Sequence, residues 1–415
     1  MRILVVGSGG REHAICHNLI QENQTVFATG TNAGIIELLG AANCFDLVIT
    51  DPAAIVKLAT ELAAELVVIG PEAPLVAGVA DALRAAGFLV FGPNQAAAEI
   101  EASKAFANEL MANLNIPTAK SVTCFTLSEV EAAMTNFGAP YVIKDDGLAA
   151  GKGVVVTDDN EIALAHAKSC FAANAKVVVE EFLAGEEVSV LCVTDGSTVY
   201  PLAAAQDYKR IFDNDLGLNT GGMGAYTPVA WLTKAMQQQV VTEIATPIIA
   251  ELKNQGREFI GVLYCGLINT AAGLKVIEFN ARFGDPETQV VLSTMTSNLT
   301  DLLYAAASGK LAEIAPPEFA GAAVTVVLAA AGYPENVRSG DQISVQIPNT
   351  PERVIFHAGT KLDNGVVRTA GGRVMAVTGI SSSIAAAREL AYQGVAGVKF
   401  AGMQHRSDIG LGRGE

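Results

Sequence analysis

The stretch that says most about fold and function is EFNARFGDPE, residues 278–287. Because side chains alternate along a strand, Glu278 and Asn280 share one face and offer two hard oxygen ligands. Mg²⁺ prefers such ligands and completes its shell with phosphate and water oxygens. Arg282, two residues further on, can hold a carboxylate or phosphate with two hydrogen bonds. The alternative interpretation is an ion-paired strand end without a metal.

A glycine-rich loop, GLAAGKG at 147–153, follows Lys144. Small residues allow phosphate oxygens to approach the backbone, and Lys144 and Lys152 supply positive charge. The spacing is not that of a Walker A loop. Strand alternation places Asp145 on the face opposite Lys144, which reduces its repulsion of phosphate. The alternative is a surface hairpin.

A third stretch, EEFL at 180–183, leads by a short turn into Glu186 and Glu187. A strand that leaves its sheet presents free backbone groups to an adenine edge, and a carboxylate just beyond can accept both ribose hydroxyls. Taken alone, a solvated acidic edge is the simpler interpretation.

A fourth, aperiodic segment contains Asp207, Lys209, Arg210 and Asp213, followed by NTGGMG at 219–224. Cations and carboxylates in a glycine-rich loop suit closure over a charged substrate. The alternative is a solvated loop, and charge alone does not choose the substrate.

The N-terminal GSGG at 7–10 lies between a predicted strand and a predicted helix. Such a turn leaves N–H groups available to an anion. A dinucleotide fingerprint needs a third glycine at position 12, which is Glu12, so a dehydrogenase is disfavoured. A turn without ligand is the alternative, and His13 and His17 are read as ordinary helix positions.

Composition excludes several function classes. The 415 residues include 27 Lys plus Arg against 43 Asp plus Glu, a net charge of −16. An acidic chain without a basic block disfavours nucleic-acid and membrane partners. Six scattered cysteines without a CxxC pair indicate neither a zinc site nor a disulfide framework. No transmembrane helix or signal segment is predicted, so we expect a cytoplasmic protein.

The pattern of elements predicts three domains. Residues 1–102 alternate short apolar strands with helices, which indicates a parallel sheet. Residues 103–321 are predicted to form a larger unit with a smaller lobe at about 120–190, including a long helix at 234–254 and a helical stretch at 289–308. Short strands and a Ser-capped helix at 383–392 predict a compact third domain at 322–415.

Taken in order, these stretches resemble the ATP-grasp superfamily and, within it, the phosphoribosylamine–glycine ligases of purine biosynthesis. The resemblance covers essentially the whole chain. It is carried by GSGGREHAI (7–15), GPEAPL (70–75), FGP (91–93), SKAF (103–106), DGLAAGKGV (146–154), EEFLAGEE (180–187), NTGGMGAYTP (219–228), EFNARFGDPETQ (278–289) and FHAGT (356–360).

The resemblance implies an α/β and α+β multidomain fold with an N-terminal Rossmann-like domain, a two-lobed ATP-grasp domain and a mainly β C-terminal domain. It implies an ATP-dependent carbon–nitrogen ligase that joins glycine to 5-phosphoribosylamine through a glycyl phosphate. ATP is then a co-substrate, and Mg²⁺ or Mn²⁺ is the cofactor. We expect a monomer.

The resemblance also implies site residues. Those expected to hold ATP are Lys104, Lys144, Gly151, Lys152, Gly153, Glu180, Phe182, Leu183 and Glu187. The metal ligands are expected to be Glu278 and Asn280. Those expected to bind glycine, the ribosyl amine or the acyl phosphate are Gly9, Gly10, Asp207, Lys209, Arg210, Asp213, Gly222, Arg282 and Asp285. Lys152, Arg282 and Asp285 are the expected catalytic residues.

The chain departs from the family pattern at several positions. Family members commonly have Ala at Asp145, His at Tyr208, Gly at Phe212 and Pro at Leu218. The altered loop leaves open a related ligase for another carboxylate or amine, and Asp145 leaves open a nucleotide-binding protein without turnover. Many ATP-grasp enzymes have an acid about 13 residues before Glu278, where this chain has Cys265, so a further metal ligand is unassigned.

Overall fold

The fold is described by a computed structural model that covers residues 1–148, 153–173 and 176–412. Its first domain is a five-stranded parallel sheet with the strand order β3-β2-β1-β4-β5. The strands are β1 (Arg2–Val6), β2 (Thr25–Thr29), β3 (Cys44–Phe45), β4 (Leu66–Ile69) and β5 (Leu89–Phe91). The connecting helices are α1 (Gly10–Gln21), α2 (Ala33–Leu39), α3 (Pro52–Glu61), α4 (Glu72–Val76), α5 (Val79–Ala85) and α6 (Gln95–Ala102). The predicted parallel sheet is confirmed.

A smaller lobe follows α7 (Lys104–Asn113), which begins at the Ser103 cap. Its antiparallel sheet has the order β6-β9-β7-β8, with β6 (Ser121–Cys124), β7 (Tyr141–Asp145), β8 (Val154–Thr157) and β9 (Val177–Glu180). Helices α8 (Leu127–Phe137) and α9 (Asn160–Ala172) cover one face around Val130, Ile143 and Val179. The lobe therefore has its own small core.

The larger lobe is built on a second antiparallel sheet, of order β11-β10-β16-β17. Its strands are β10 (Glu186–Thr194), β11 (Val199–Pro201), β16 (Gly261–Thr270) and β17 (Gly273–Asn280). Between β11 and β16 the chain forms β12 (Gln206–Asp207), a hairpin of β13 (Arg210–Phe212) and β14 (Leu216–Asn219), β15 (Gly224–Thr227), α10 (Lys234–Gln239) and α11 (Thr246–Asn254).

Two helix predictions need correction. The predicted helix at 234–254 is interrupted by a π-helical segment, Val240–Ala245, between α10 and α11. The predicted helical stretch at 289–308 is two helices, α12 (Glu287–Thr294) and α13 (Leu299–Ala307). The second begins where Asn298 accepts a hydrogen bond from Asp301 N, because a side-chain cap starts a new helix.

The last part of the chain contains β18 (Ala322–Ala329), β19 (Ser344–Val345), β20 (Arg353–His357), β21 (Thr360–Asp363), β22 (Val366–Thr369), β23 (Arg373–Ser381), α14 (Ile384–Ala396) and β24 (Val398–Lys399). Its main sheet has the order β12-β15-β18-β23-β20. Two strands of this sheet, β12 and β15, come from the aperiodic segment that the sequence suggested for substrate. The C-terminal sheet therefore extends into the middle of the chain.

Within the described part of the chain, no helix is long and apolar enough to cross a membrane.

Candidate active site

A deep cleft with a cavity volume of about 580 Å³ lies between the two lobes and the first domain. It collects most of the residues that the sequence singled out. Those that line it are Lys104, Lys144, Gly153, Glu180, Phe182, Leu183, Glu187, Asp207, Lys209, Arg210, Glu278, Asn280, Arg282 and Asp285. Gly151 and Lys152 lie outside the described residues.

One end of the cleft is built around a buried ion pair between neighbouring strands. Lys144 Nζ on β7 lies 2.7 Å from Glu180 Oε2 at the end of β9, and both side chains are about 5% exposed. Lys144 also donates to Ile277 O on β17 at 3.1 Å, and Asn108 donates to Glu180 Oε1. Lys104 donates to Gly147 O at 2.9 Å. Two cations are thus held at the root of the glycine-rich loop.

Beyond this pair, the strand edge opens towards solvent. Phe182 is 46% exposed although it lines the cleft, which suits an apolar side chain that packs on a flat ligand. Glu187 Oε2 lies 2.7 Å from Lys209 Nζ. The carboxylate predicted for ribose and a lysine predicted for substrate therefore form an ion pair within the cleft.

Glu278 and Asn280 lie on β17 and face the cleft, as the strand alternation predicts. Burial favours the neutral form of Glu278, but the nearby cations Lys209 and Lys144 outweigh burial and lower its pKa. Asn280 Oδ1 accepts from Arg282 Nη2 at 3.2 Å. Cys265 is fully buried in β16 opposite Phe279, so this position supplies the core and not the cleft.

A second group of charges surrounds Asp207 at the end of β12. Burial raises the pKa of Asp207 to about 7; Lys209 opposes this shift, and Glu287 adds to it. Burial lowers the pKa of Lys209, but Glu187 and Asp207 outweigh burial and raise it well above its usual value. Carboxylates outnumber lysines here, so this region can accept an ammonium group.

Arg282 belongs to a row of alternating charges that joins the first domain to β17. Its guanidinium lies 2.9 Å from Glu101 Oε1 and 3.4 Å from Glu72 Oε2. Glu72 in turn lies 3.9 Å from Arg11, whose Nη1 donates to Phe283 O at 2.6 Å. The row holds the chain around residues 281–283 from one side.

Asp285 closes the cleft on the C-terminal side. Its Oδ1 accepts from Gln289 Nε2 at 2.9 Å and lies 3.6 Å from Arg373 Nη1. Burial would raise the pKa of Asp285, but Arg373 and Arg11 outweigh burial and lower it. An ionised carboxylate therefore stands close to Arg373 and Arg11 on this side of the cleft.

Four predicted substrate residues do not line the cleft: Gly9, Gly10, Asp213 and Gly222. At Gly9 the backbone N–H donates a hydrogen bond to the side chain of Glu12. This is the N–H group that the sequence analysis predicted to be available to an anion. The Asp213 carboxylate accepts hydrogen bonds from Ser407 N and Oγ. Gly222 has a φ of 109° and packs on Pro286, where a Cβ would lie 2.5 Å from the ring.

Comparison with known proteins identifies the family. Residues 1–101, 102–288 and 323–412 match, in that order, the families described as Phosphoribosylglycinamide synthetase N domain, ATP-grasp (A) domain and C domain. The chain belongs to the phosphoribosylamine–glycine ligase family.

Members of the phosphoribosylamine–glycine ligase family match along the whole chain. The Streptomyces coelicolor enzyme is 50% identical over 416 residues, which cover 99% of this chain and 98% of that protein. The Mycobacterium tuberculosis enzyme is 47% identical over 420 residues, with coverage of 99% and 98%. The crystal structure of the Thermotoga maritima enzyme has a TM-score of 0.86 at 31% identity, covering 98% of this chain and all of that one. The predicted family and three-domain architecture are confirmed.

A more distant likeness concerns the fold alone. The biotin carboxylase domain of Hydrogenobacter thermophilus 2-oxoglutarate carboxylase has a TM-score of 0.75 at 16% identity, over 97% of this chain and 91% of that one.

Several cleft residues of this phosphoribosylamine–glycine ligase family member were missed by sequence reasoning: Arg11, Glu72, Glu101, Glu287 and Arg373. Glu287 is buried, and its Oε1 accepts from Tyr264 Oη at 2.8 Å. A signal existed for three of them, because Arg11, Glu72 and Glu287 fall inside the quoted motifs. Glu101 and Arg373 lie outside those motifs, and only the tertiary structure brings them to the cleft.

Proposed function

We propose that this cleft joins glycine to 5-phosphoribosylamine at the expense of ATP, giving glycinamide ribonucleotide, ADP and phosphate. The observation that carries the proposal is the arrangement of charge within one cavity. Lys104 and Lys144 lie at the loop end, the oxygen ligands Glu278 and Asn280 lie next along β17, and Arg282 follows. The cleft can therefore align three anionic groups in a row: the phosphates of ATP, the carboxylate of glycine and the phosphate of the sugar.

The chemical problem explains why such a row is needed. A glycine carboxylate is a poor electrophile, so a carboxylate oxygen first takes the γ-phosphoryl group of ATP and ADP leaves. The amine nitrogen of phosphoribosylamine then attacks the carboxyl carbon, the C–O bond to phosphate breaks, and the amine loses one proton. Alignment and charge neutralisation do most of the work in phosphoryl transfer, so no general base is assigned.

In this proposal the nucleotide occupies the loop end of the cleft. Lys104, Lys144, Lys152 and the backbone around Gly151 and Gly153 hold the phosphates. Adenine lies along residues 180–183, beside Phe182 and Leu183, and Glu187 accepts the ribose hydroxyls. The support is that the described members of this set all line the same cavity.

The glycine and the sugar phosphate occupy the other end. Asp207, Lys209 and Arg210 come from the segment 206–210, and Arg282 and Asp285 come from the stretch after β17. We assign the ammonium groups to the carboxylate-rich surroundings of Asp207, and the carboxylate and acyl phosphate to Arg282. Gly9, Gly10, Asp213 and Gly222 lie outside the lining of this cavity, and their role in binding substrate stays a prediction from the sequence.

The residues present fit a divalent cation, Mg²⁺ or Mn²⁺. The lowered pKa of Glu278 keeps its carboxylate ionised, and Asn280 has a second lone pair besides the one that Arg282 occupies. Within the described ranges there is no cluster of three His, Cys, Asp or Glu side chains suited to a metal. Phosphate and water oxygens would complete the shell, and the ion would neutralise phosphate charge when bound.

The decisive experiment is to incubate the purified protein with ATP, glycine and freshly generated 5-phosphoribosylamine and to detect glycinamide ribonucleotide by mass spectrometry. ADP formation should require both glycine and the amine. ADP release that is unaffected by omitting glycine would reject the proposal, and stimulation by a different amino acid would favour a related ligase. A cytoplasmic location and a monomeric state stay predictions from the sequence.

A further inference from the structure

The segment after α14 contains an arginine whose side chain is almost fully buried. Arg406 is 1% exposed, and two of its nitrogens donate to the Asp408 carboxylate at 2.7 and 2.6 Å. Its third nitrogen, Nη1, donates to Asp215 Oδ1 at 2.8 Å and to Arg210 O at 3.1 Å. The guanidinium also lies over the ring of Tyr208, 4.8 Å from the ring centre. Its partners Tyr208, Arg210 and Asp215 all belong to the aperiodic segment from Asp207 to residue 224 that the sequence analysis predicted to close over the substrate.

Four further hydrogen bonds join the same two parts of the chain. Ser407 donates from both its backbone N and its Oγ to the Asp213 carboxylate. Asn214 N donates to Asp408 Oδ2 at 2.9 Å, and Gly410 N donates to Tyr208 Oη at 3.0 Å. The C-terminal segment 406–410 thus contacts the β13–β14 hairpin at both its base and its tip.

The hairpin has little apolar packing of its own. Phe212, Leu216 and Leu218 are 57%, 61% and 48% exposed, whereas Ile211 is buried in a small cluster with Met223 and Tyr333. Two short strands without a substantial core are marginally stable in water. The hydrogen bonds and ion pairs made by the C-terminal segment therefore determine the position of the hairpin.

The position of the hairpin matters because it carries part of the cleft wall. Arg210, Asp215 and Asn219 line the cavity, and Arg210 Nη1 donates to Gly217 O within the hairpin. Arg406 itself does not line the cavity. A shift of the hairpin would move substrate-side groups and leave the Lys144 end unchanged.

We propose that Arg406 is a positioning residue that fixes the β13–β14 hairpin and thereby sets the affinity for glycine and 5-phosphoribosylamine, but not for ATP. This inference rests on the proposed function. It also accounts for Tyr208, a departure from the family pattern: its ring packs on Arg406 and its hydroxyl accepts from the C-terminal segment, so the altered loop is anchored from the C-terminal domain.

The test compares Arg406→Gln with Arg338→Gln. Arg338 is a half-exposed arginine that also binds a carboxylate, Asp341, and a carbonyl, Ala401 O. Arg406→Gln should raise the KM for glycine and for 5-phosphoribosylamine about tenfold or more, because small misplacements of positioning groups are costly, and should leave the KM for ATP within about twofold. Arg406→Lys keeps the positive charge but lacks the planar set of guanidinium donors, so it should raise the KM for glycine and for 5-phosphoribosylamine less than Arg406→Gln does. Arg338→Gln should change none of the three constants.

A purely structural role predicts a different result, in which Arg406→Gln lowers the melting temperature and leaves all KM values unchanged. That result, or an equal rise in the KM for ATP, would overturn the inference. If Arg406→Gln does not fold, Asp213→Ala decides, because it removes only the surface contact with Ser407. It should raise the same two constants about threefold, because both hydrogen bonds to Ser407 are lost while those of Arg406 stay, so only part of their net contribution reaches the cleft; unchanged constants would overturn the inference. A wild-type protein that makes no glycinamide ribonucleotide would reject the proposed function itself, before any variant is compared.

Discussion

Glu101 and Arg282 form an ion pair of 2.9 Å across the boundary between α6 and the end of β17, and their side chains are 7% and 18% exposed. The other oxygen of Glu101 accepts from Ala281 N at 2.7 Å, 180 residues away in the chain. One carboxylate therefore fixes both the guanidinium and the backbone between Asn280 and Arg282. The proposed metal ligands and the proposed substrate arginine are therefore aligned by a helix of the first domain.

Replacing Glu101 with Gln should lower kcat about 10- to 100-fold, the usual cost of losing a residue that orients a ligand group. The neutral amide cannot balance the guanidinium, so Arg282 is expected to turn towards Glu72. ATP affinity, measured by isothermal titration, should change little. Glu99→Gln is the matched control, since Glu99 lies on the same helix and pairs with Arg257 while 45% exposed. Equal losses in both variants would contradict this role of Glu101.

Replacing Lys144 with Met should abolish ATP binding and destabilise the protein by about 3–5 kcal/mol, because Glu180 would be left buried without its cation. The double variant Lys144→Met with Glu180→Gln should recover much of the stability but not nucleotide binding. Chemical denaturation and ATP titration separate the two effects. Lys176→Met, at an exposed lysine 3.9 Å from Asp146, provides the control. Normal ATP affinity in the Lys144 variant would count against the nucleotide assignment.

Replacing Glu278 with Gln should reduce kcat by at least about 100-fold, since the amide lacks the charge that a divalent cation requires. The residual rate should respond weakly to added Mg²⁺ or Mn²⁺, whereas the wild-type rate should rise steeply. Glu181→Gln is a useful comparison, because Glu181 also lines the cleft but is not a proposed metal ligand. It pairs with Lys275 at 3.4 Å. A near-normal rate with an unchanged metal response would refute the metal assignment.

Two buried histidines should make the protein less stable as the pH drops from about 6.5 to 4, whereas the raised pKa of Asp207 acts in the opposite direction over the same range. Burial lowers the pKa of His357 to about 4 and that of His13 well below its usual value. In this window the unfolded chain takes up the protons first, so unfolding is favoured as acid is added. His357 alone accounts for at most ~3 kcal/mol between these limits.

Denaturant unfolding at pH 7.5 and at pH 4.5 measures this effect. His357→Gln should raise the stability at pH 4.5 relative to that at pH 7.5, and His405→Gln, at an exposed histidine, should not. The two buried rings lie at the contact between α1 and β20, where His357 N donates to His13 Nδ1 at 2.9 Å. An identical pH dependence in the His357 variant would disprove the assignment.

Local patterns determined a large part of this protein from the sequence alone. The apolar runs at 66–69 and 89–91 coincide with β4 and β5, since short buried strands are marked by their own composition. The motifs also named most of the cleft wall, including Lys144, Glu180 and Glu278, because these side chains follow strand alternation and strand ends.

Contacts between distant segments were decided only by the tertiary structure. No periodicity links Glu101 to Arg282, or Arg406 to Asp215, because these pairs depend on how separate domains pack. The same holds for Gly9. The sequence predicts that its N–H binds an anion, but in the folded chain this N–H donates to Glu12. The sequence by itself determined which chemical groups this protein carries and on which strands; the packing of three domains decided which of them meet in the cleft, because hydrogen bonds and ion pairs over such separations form only after the domains have packed.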